Sequence, residues 1–130
     1  MAGISAYCGK VMLDYVCGGA APTRPAAWGV GLSVGTPNAT TGSEIGTGSG
    51  YARQNPGFAA AASPADTVSN GNAMTYGPFS SGCTVQALQV WDTTATAGNM
   101  LFFGQLATAR TLGAGDSLTI NAGALVIGVS

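Results

Sequence analysis

Trp28-Gly-Val-Gly-Leu-Ser-Val34 sets Trp28, Val30, Leu32 and Val34 on one side of an extended chain and Gly29, Gly31 and Ser33 on the other. A period of two, with small residues at the alternate positions, predicts a half-buried β-strand. Upstream the period is different. Ile4, Tyr7, Cys8, Val11, Met12, Tyr15 and Val16 follow a 3.6-residue stripe, so residues 4–18 read as the one helix. Ser5 is placed to cap its start and Gly18-Gly19 to stop it. Pro22 and Pro25 then forbid continuation.

Downstream of Val34 the extended period persists in short pieces. Thr36-Pro-Asn-Ala-Thr-Thr-Gly-Ser is turn chemistry, and Gly46-Thr-Gly-Ser-Gly50 extends that loop. Tyr51-Ala-Arg-Gln is extended, the Ala run at 59–62 closed by Pro64 reads as loop, and Asn70-Gly71 is a turn. Ala73-Met-Thr-Tyr76 is a short strand and Cys83 to Trp91 the longest one. Asp92 to Asn99 has the composition of a hairpin loop. Met100 to Leu106 is apolar enough for burial on both faces, and Ala109-Arg-Thr-Leu112, Ser117-Leu-Thr-Ile120 and Ala124 to Val129 complete the set. Short strands at such spacing predict a mainly β chain: one N-terminal helix, then an antiparallel β-sandwich or jelly-roll-like barrel. The length suits one domain over 1–130, with the helix at 4–18 and the β domain at 27–130.

Composition narrows the function. Of 130 residues 67 are Ala, Gly, Thr or Ser, only nine are charged, and there is no histidine. Four cations cannot neutralise many phosphates, so no nucleic-acid partner is expected. Ala124 to Val129, the longest strongly apolar stretch, is far short of the ~20 residues that cross a bilayer, so no membrane partner is expected. The first ten residues lack the basic and apolar regions of a secretory signal. Cys8 and Cys17 would stand about 13 Å apart along a helix, beyond disulfide reach, and an odd total of three suits free thiols in a reducing cytosol.

No pattern of residues points to catalysis, a metal or a cofactor. Without histidine the commonest general base and zinc ligand are missing. Asp14, Glu44, Asp66, Asp92 and Asp116 fall mostly in turns, where Asp bonds its own backbone. Gly46 to Gly50 lacks the Lys-Ser/Thr and the following helix of a phosphate loop. Asn38-Ala-Thr40 matches a glycosylation sequon that is inert without a secretory route. Arg53, beside Tyr51, reads either as a loop anchor or as an interface contact. Trp28 and Trp91 read as core or as exposed platforms. Arg and aromatics are enriched at interfaces, so Tyr51, Arg53, Trp28 and Trp91 are the candidate interface residues.

The order of features resembles a family of small phage virion proteins described as tail-fibre-like or head-decoration proteins. The matching features begin with Leu13-Asp-Tyr-Val-Cys-Gly-Gly19 and Trp28-Gly-Val-Gly-Leu-Ser-Val34. Gly-Ser-Gly-Tyr-Ala-Arg-Gln at 48–54 looks like the family's Gly-Gly-Tyr-Ala-Arg signature. The series Leu101-Phe-Phe-Gly-Gln-Leu, Arg110-Thr-Leu, Gly115-Asp-Ser-Leu and Ala122-Gly-Ala-Leu closes the match. The resemblance implies a non-enzymatic structural component present in many copies on a virion and made in the host bacterial cytoplasm. A fibre needs a stem, by heptads or a repetitive shaft, and 130 residues of compact β structure leave no room for one. The expectation is therefore a capsid decoration or cement protein on the head surface. Its partners would be the major capsid protein and copies of itself, as a trimer or dimer. The alternative is a tail-fibre or tail-tip module binding a host surface glycan, with Trp28, Trp91 or Tyr76 as stacking platforms.

Overall fold

The computed structural model describes residues 3–21, 23–46, 50–59 and 67–128. Pro22, most of the Gly46–Gly50 loop and of the Ala run at 59–62, Pro64, Asp66 and Val129 lie outside the described residues. Along the chain the elements are β1 (Gly3–Ile4), α1 (Ala6–Val16), β2 (Gly29–Ser33), β3 (Thr67–Ser69), β4 (Met74–Tyr76), β5 (Cys83–Trp91), β6 (Met100–Leu112), β7 (Leu118–Ile120) and β8 (Val126–Gly128). All strand pairs are antiparallel: a four-stranded sheet in the order β1-β6-β5-β2, and the two-stranded pairs β3-β8 and β4-β7. The chain is mainly β, one helix followed by a sandwich-like arrangement, as the strand spacing predicts.

β2 is where the sequence reading needs its first correction. It forms where the alternation places it, yet all five of its residues are buried. Val30 and Leu32 point into the core at 0% exposure. The opposite face is covered by chain, because glycine there leaves room for a neighbour rather than for solvent. A Cβ on Gly31 would stand 2.5 Å from Glu44 Oε2 and 2.6 Å from Tyr51 Oη. Ser33 donates its hydroxyl to the Gly42 carbonyl at 2.7 Å. The outer edge of β2 is closed too: Val30 and Gln54 exchange both backbone hydrogen bonds, and Ile45 N donates to Leu32 O at 3.0 Å.

β5 spans the residues its alternation predicts, and residues 92–99 turn the chain into β6. Asp92 holds that loop, accepting from Asn99 N at 2.8 Å and from Asn99 Nδ2 at 3.0 Å. The two runs predicted at 100–106 and 109–112 are one strand, β6. The pairing goes from Val85↔Arg110 to Ala87↔Gln105, so residues 106–109 bulge opposite Gln86 alone. The predicted two-sided burial holds for Met100, Leu101 and Phe103 only; past Gln105 the strand faces mostly outward.

The helix is shorter than the stripe that predicts it. Ser5 caps it as expected, accepting from Cys8 N at 3.0 Å, and Gly18 follows with φ +95°. Ser5 N also donates to Leu101 O at 2.9 Å, which pulls Gly3–Ile4 out of the helix and against Phe102 and Phe103 as β1. Cys8 is the helix's one buried residue. Met12, Leu13, Tyr15 and Val16 project from the body. The stripe marks the helix correctly but does not bury it.

One core ties the sheets together. Val30 and Leu32 of β2, Met74 and Tyr76 of β4, Val85 and Val90 of β5, with Ile45, Tyr51 and Phe79, form a buried cluster. Leu118 and Ile120 of β7 and Ile127 of β8 pack on it. Burial of each such side chain contributes about 1.5–3 kcal/mol. Tyr76 also donates to Val30 O at 2.8 Å, joining the β4-β7 pair to β2. Asn70 does the same for the turn before β8, donating to Asn121 O at 3.0 Å and accepting from Leu125 N at 2.9 Å.

Candidate functional site

Arg53 is the centre of the most densely bonded cluster among the described residues, and its side chain is 3% exposed. Nε donates to Glu44 Oε2 at 2.8 Å and Nη2 to Glu44 Oε1 at 2.7 Å, the two-pronged geometry that a planar guanidinium gives a carboxylate. Nη1 points the other way, into loop 92–99, and donates to the carbonyls of Ala95 at 2.5 Å and Ala97 at 2.9 Å. The guanidinium carbon lies 3.9 Å from the centroid of the Trp91 ring. One side chain therefore joins the segment before it, the end of β5 and the hairpin loop.

The shell around Arg53 is fully bonded. Tyr51 donates its hydroxyl to Glu44 Oε2 at 2.5 Å and accepts from Leu32 N at 3.0 Å. Its ring stacks on Tyr76, 6.1 Å between centroids at 13°. Burial first holds both phenols above the usual range, followed by the hydrogen bond to Glu44 for Tyr51 and by the Glu44 charge for Tyr76. Trp91 Nε1 donates to Gln89 Oε1 at 2.9 Å, and Gln89 Nε2 donates to the Gly42 carbonyl. Among the described residues no buried side-chain nitrogen or oxygen lacks a partner.

Beside this cluster lies a groove of about 420 Å³. Its walls are the first turn of α1, the segment 39–42 and the base of the hairpin loop, with Tyr7, Thr40, Trp91, Asn99 and Met100 among the lining residues. The helix wall is held at its start, where Ser5 donates to the Met100 carbonyl and Ala6 N donates to Ala39 O at 2.9 Å.

Three of the four candidate interface residues thus come together. Tyr51 and Arg53 are buried, at 5% and 7% exposure, and Trp91 is half-buried against them. All their polar groups bond within the chain, so what they offer a partner is the shape of loop 92–99. Trp28 belongs elsewhere, edge-on to Phe58 at 6.2 Å with Arg24 5.3 Å above its ring. Tyr76, considered as a platform, is wholly buried and presents no ring to a ligand. Glu44 is the member that sequence reasoning missed as Arg53's partner. It sits in a turn-like segment, and nothing local marks a carboxylate that pairs with an arginine across β2.

Asp116 accepts from Gly113 N at 2.7 Å, closing a turn as expected of such an Asp. Glu44 has both oxygens engaged by Arg53 and Tyr51. Among the described residues no three cysteines or carboxylates cluster as metal ligands, and no helix is long and apolar enough to cross a membrane. All three cysteines are free. Burial raises the Cys8 and Cys83 thiols, whereas Cys17 is exposed.

No curated protein matches the chain. A family model described as Podophage GP4 fiber I protein gp80 matches residues 3–128, and the chain belongs to that family of phage virion structural proteins.

Proposed function

We propose that the chain is a non-enzymatic subunit of a podophage fibre, made in the host cytoplasm and built into the virion by association with copies of itself. The observation that carries this reading is the uncovered apolar surface of α1. Leu13, Tyr15 and Val16 are 64%, 68% and 76% exposed, a concentration of large apolar side chains that a lone protein rarely leaves in water. A second copy fits it by chemistry. Lys10 and Asp14, the only charges on the helix, lie opposite the line of Met12, Tyr15 and Val16. They are paired with each other at 2.5 Å. Two such faces meet without stripping water from any charge. With 7% charged residues, against about 25% in an average domain, the rest of the surface also suits coverage by neighbours.

The family's description supports the fibre over the head. The compactness that favours a decoration protein suits a fibre subunit equally, since copies in series build length that one chain lacks. The charge-poor surface supports a second reading as well, a capsid decoration protein seated on the major capsid protein.

Immunogold labelling of intact virions separates the two. Label on fibres is the expected result, and label spread over the shell replaces it with the decoration reading. For the self-association, sedimentation velocity of the chain and of Leu13→Glu/Val16→Glu should show oligomers that the variant lacks. A chain monomeric at all concentrations overturns that part.

A further inference from the structure

We infer that two copies of the chain pair through antiparallel α1 helices, with Leu13 of each seated in the hollow over Gly9 of the partner subunit. The pairing rests on the self-association proposed above and gives it a register. Glycine in a helix interior weakens the helix relative to alanine, and Gly9 stands inside α1, Ala6–Val16. Among the described residues nothing accounts for it. Its φ is not in the left-handed region, and an added Cβ would meet no atom within 4 Å. What the missing Cβ leaves there is room on the outer face for the close approach of another chain.

That face is uneven along its length. Ala6, Gly9, Leu13 and Val16 fall on one side of the helix by their three- and four-residue spacing. Ala6 is exposed, and Leu13 and Val16 are 64% and 76% exposed. The N-terminal half of the stripe is therefore hollow and the C-terminal half bulky. Two such helices in full overlap and opposite directions bring position 16 level with position 6, and position 13 level with position 9. Bulk then meets hollow at both levels, and twice over by the twofold symmetry. Parallel helices would set Leu13 against Leu13 of the partner subunit and leave two glycines facing each other across a void. The antiparallel pair also opposes the two helix dipoles. Lys10 and Asp14 flank the stripe already bonded to each other, so neither brings an unpaired charge to the seam.

Sedimentation velocity of the intact chain and of three variants tests the register. Gly9→Leu fills the hollow from a position with open space around it, and should raise the dissociation constant about tenfold or more. Adding Leu13→Ala to it exchanges bulk and hollow between the two levels, and should bring association back to within about threefold of the parent. Disulfide mapping in a Cys17→Ser background tests the direction. On mild oxidation, Ala6→Cys chains mixed with Val16→Cys chains should cross-link to each other. Neither should cross-link to its own kind, because like positions lie about 15 Å apart along the axes. A chain that is monomeric, or whose association survives Leu13→Glu/Val16→Glu, removes the self-association through α1 and the pairing with it. Association lost in Leu13→Glu/Val16→Glu yet unchanged by Gly9→Leu, or not restored in the double variant, overturns the pairing alone. Cross-links between like chains do the same.

Discussion

Arg53 lies with its guanidinium carbon 3.9 Å from the centre of the Trp91 ring while its Nε and Nη2 hold both oxygens of Glu44. The pair is largely removed from water, with side chains 3% and 19% exposed. The same guanidinium donates to the Ala95 and Ala97 carbonyls. Replacing Arg53 with Met leaves Glu44 with the Tyr51 hydroxyl alone and takes the guanidinium donors from the four loop carbonyls of Thr93, Ala95, Thr96 and Ala97. The expected cost is about 3–5 kcal/mol. Arg53→Lys keeps a charge but not the planar fork, so its cost should be smaller, about 1–3 kcal/mol. Urea unfolding followed by tryptophan fluorescence measures both, and equal costs would show that the fork geometry is immaterial.

Alkaline pH acts on the two stacked tyrosines. Burial, then Glu44, raises both phenols in the folded chain. An unfolded tyrosine loses its proton near pH 10, as about 10 is its reference value. Between that point and the higher folded value the unfolded chain binds fewer protons than the folded one. The stabilisation is therefore fully present below about pH 10 and declines as pH rises, by up to about 1.4 kcal/mol per unit for each phenol. Denaturation midpoints from pH 8 to 12 should fall above 10, and less steeply in Tyr51→Phe and Tyr76→Phe. Slopes identical to the parent's would contradict the assignment.

Two glycines should respond to alanine in opposite directions. At Gly31 the new methyl meets Glu44 Oε2 and Tyr51 Oη, inside a bonded network that has no room to retreat. Overpacking of this kind costs about 1–3 kcal/mol. At Gly9, in the middle of α1, an added Cβ meets nothing within 4 Å. There Ala gains about 0.5–1 kcal/mol from helix propensity alone. Thermal melts of the two variants, read beside the parent, decide it.

Thiol chemistry should single out one cysteine. Cys17 is exposed, whereas Cys8 is buried and Cys83 half-buried, with both thiols raised by burial. A maleimide reagent at pH 7 is expected to label one thiol quickly in the folded chain and all three in urea. Cys17→Ser should abolish the fast phase. Rapid labelling at Cys8 in the native state would mean that the start of α1 opens.

Much of the β architecture is legible because its signals are local. Period-two alternation finds β2 and β5, and glycine, asparagine and aspartate punctuate the turns between them. The bulge at 106–109 is not legible, since it is a matter of register between two strands. β1 and β3 are missed for a related reason: two or three residues carry no period, and only a partner strand makes them strands. Asp92 and Asp116 are readable as turn residues because their bonds are to near neighbours. Glu44 is not, because its partners meet it across β2.

Amino-acid order and composition by themselves determined the mainly β class, the Ser5-capped helix, the β5 hairpin and the scarcity of charge. Those properties rest on short-range sterics, capping and summed charge, which need no knowledge of the fold. Tertiary structure alone decided that Arg53, Tyr51 and Trp91 form one internal brace around Glu44, that Tyr76 is core, and that the apolar stripe of α1 is left uncovered. Each depends on which distant segments share space, because desolvation and hydrogen-bond satisfaction belong to the packed chain and not to any stretch of it.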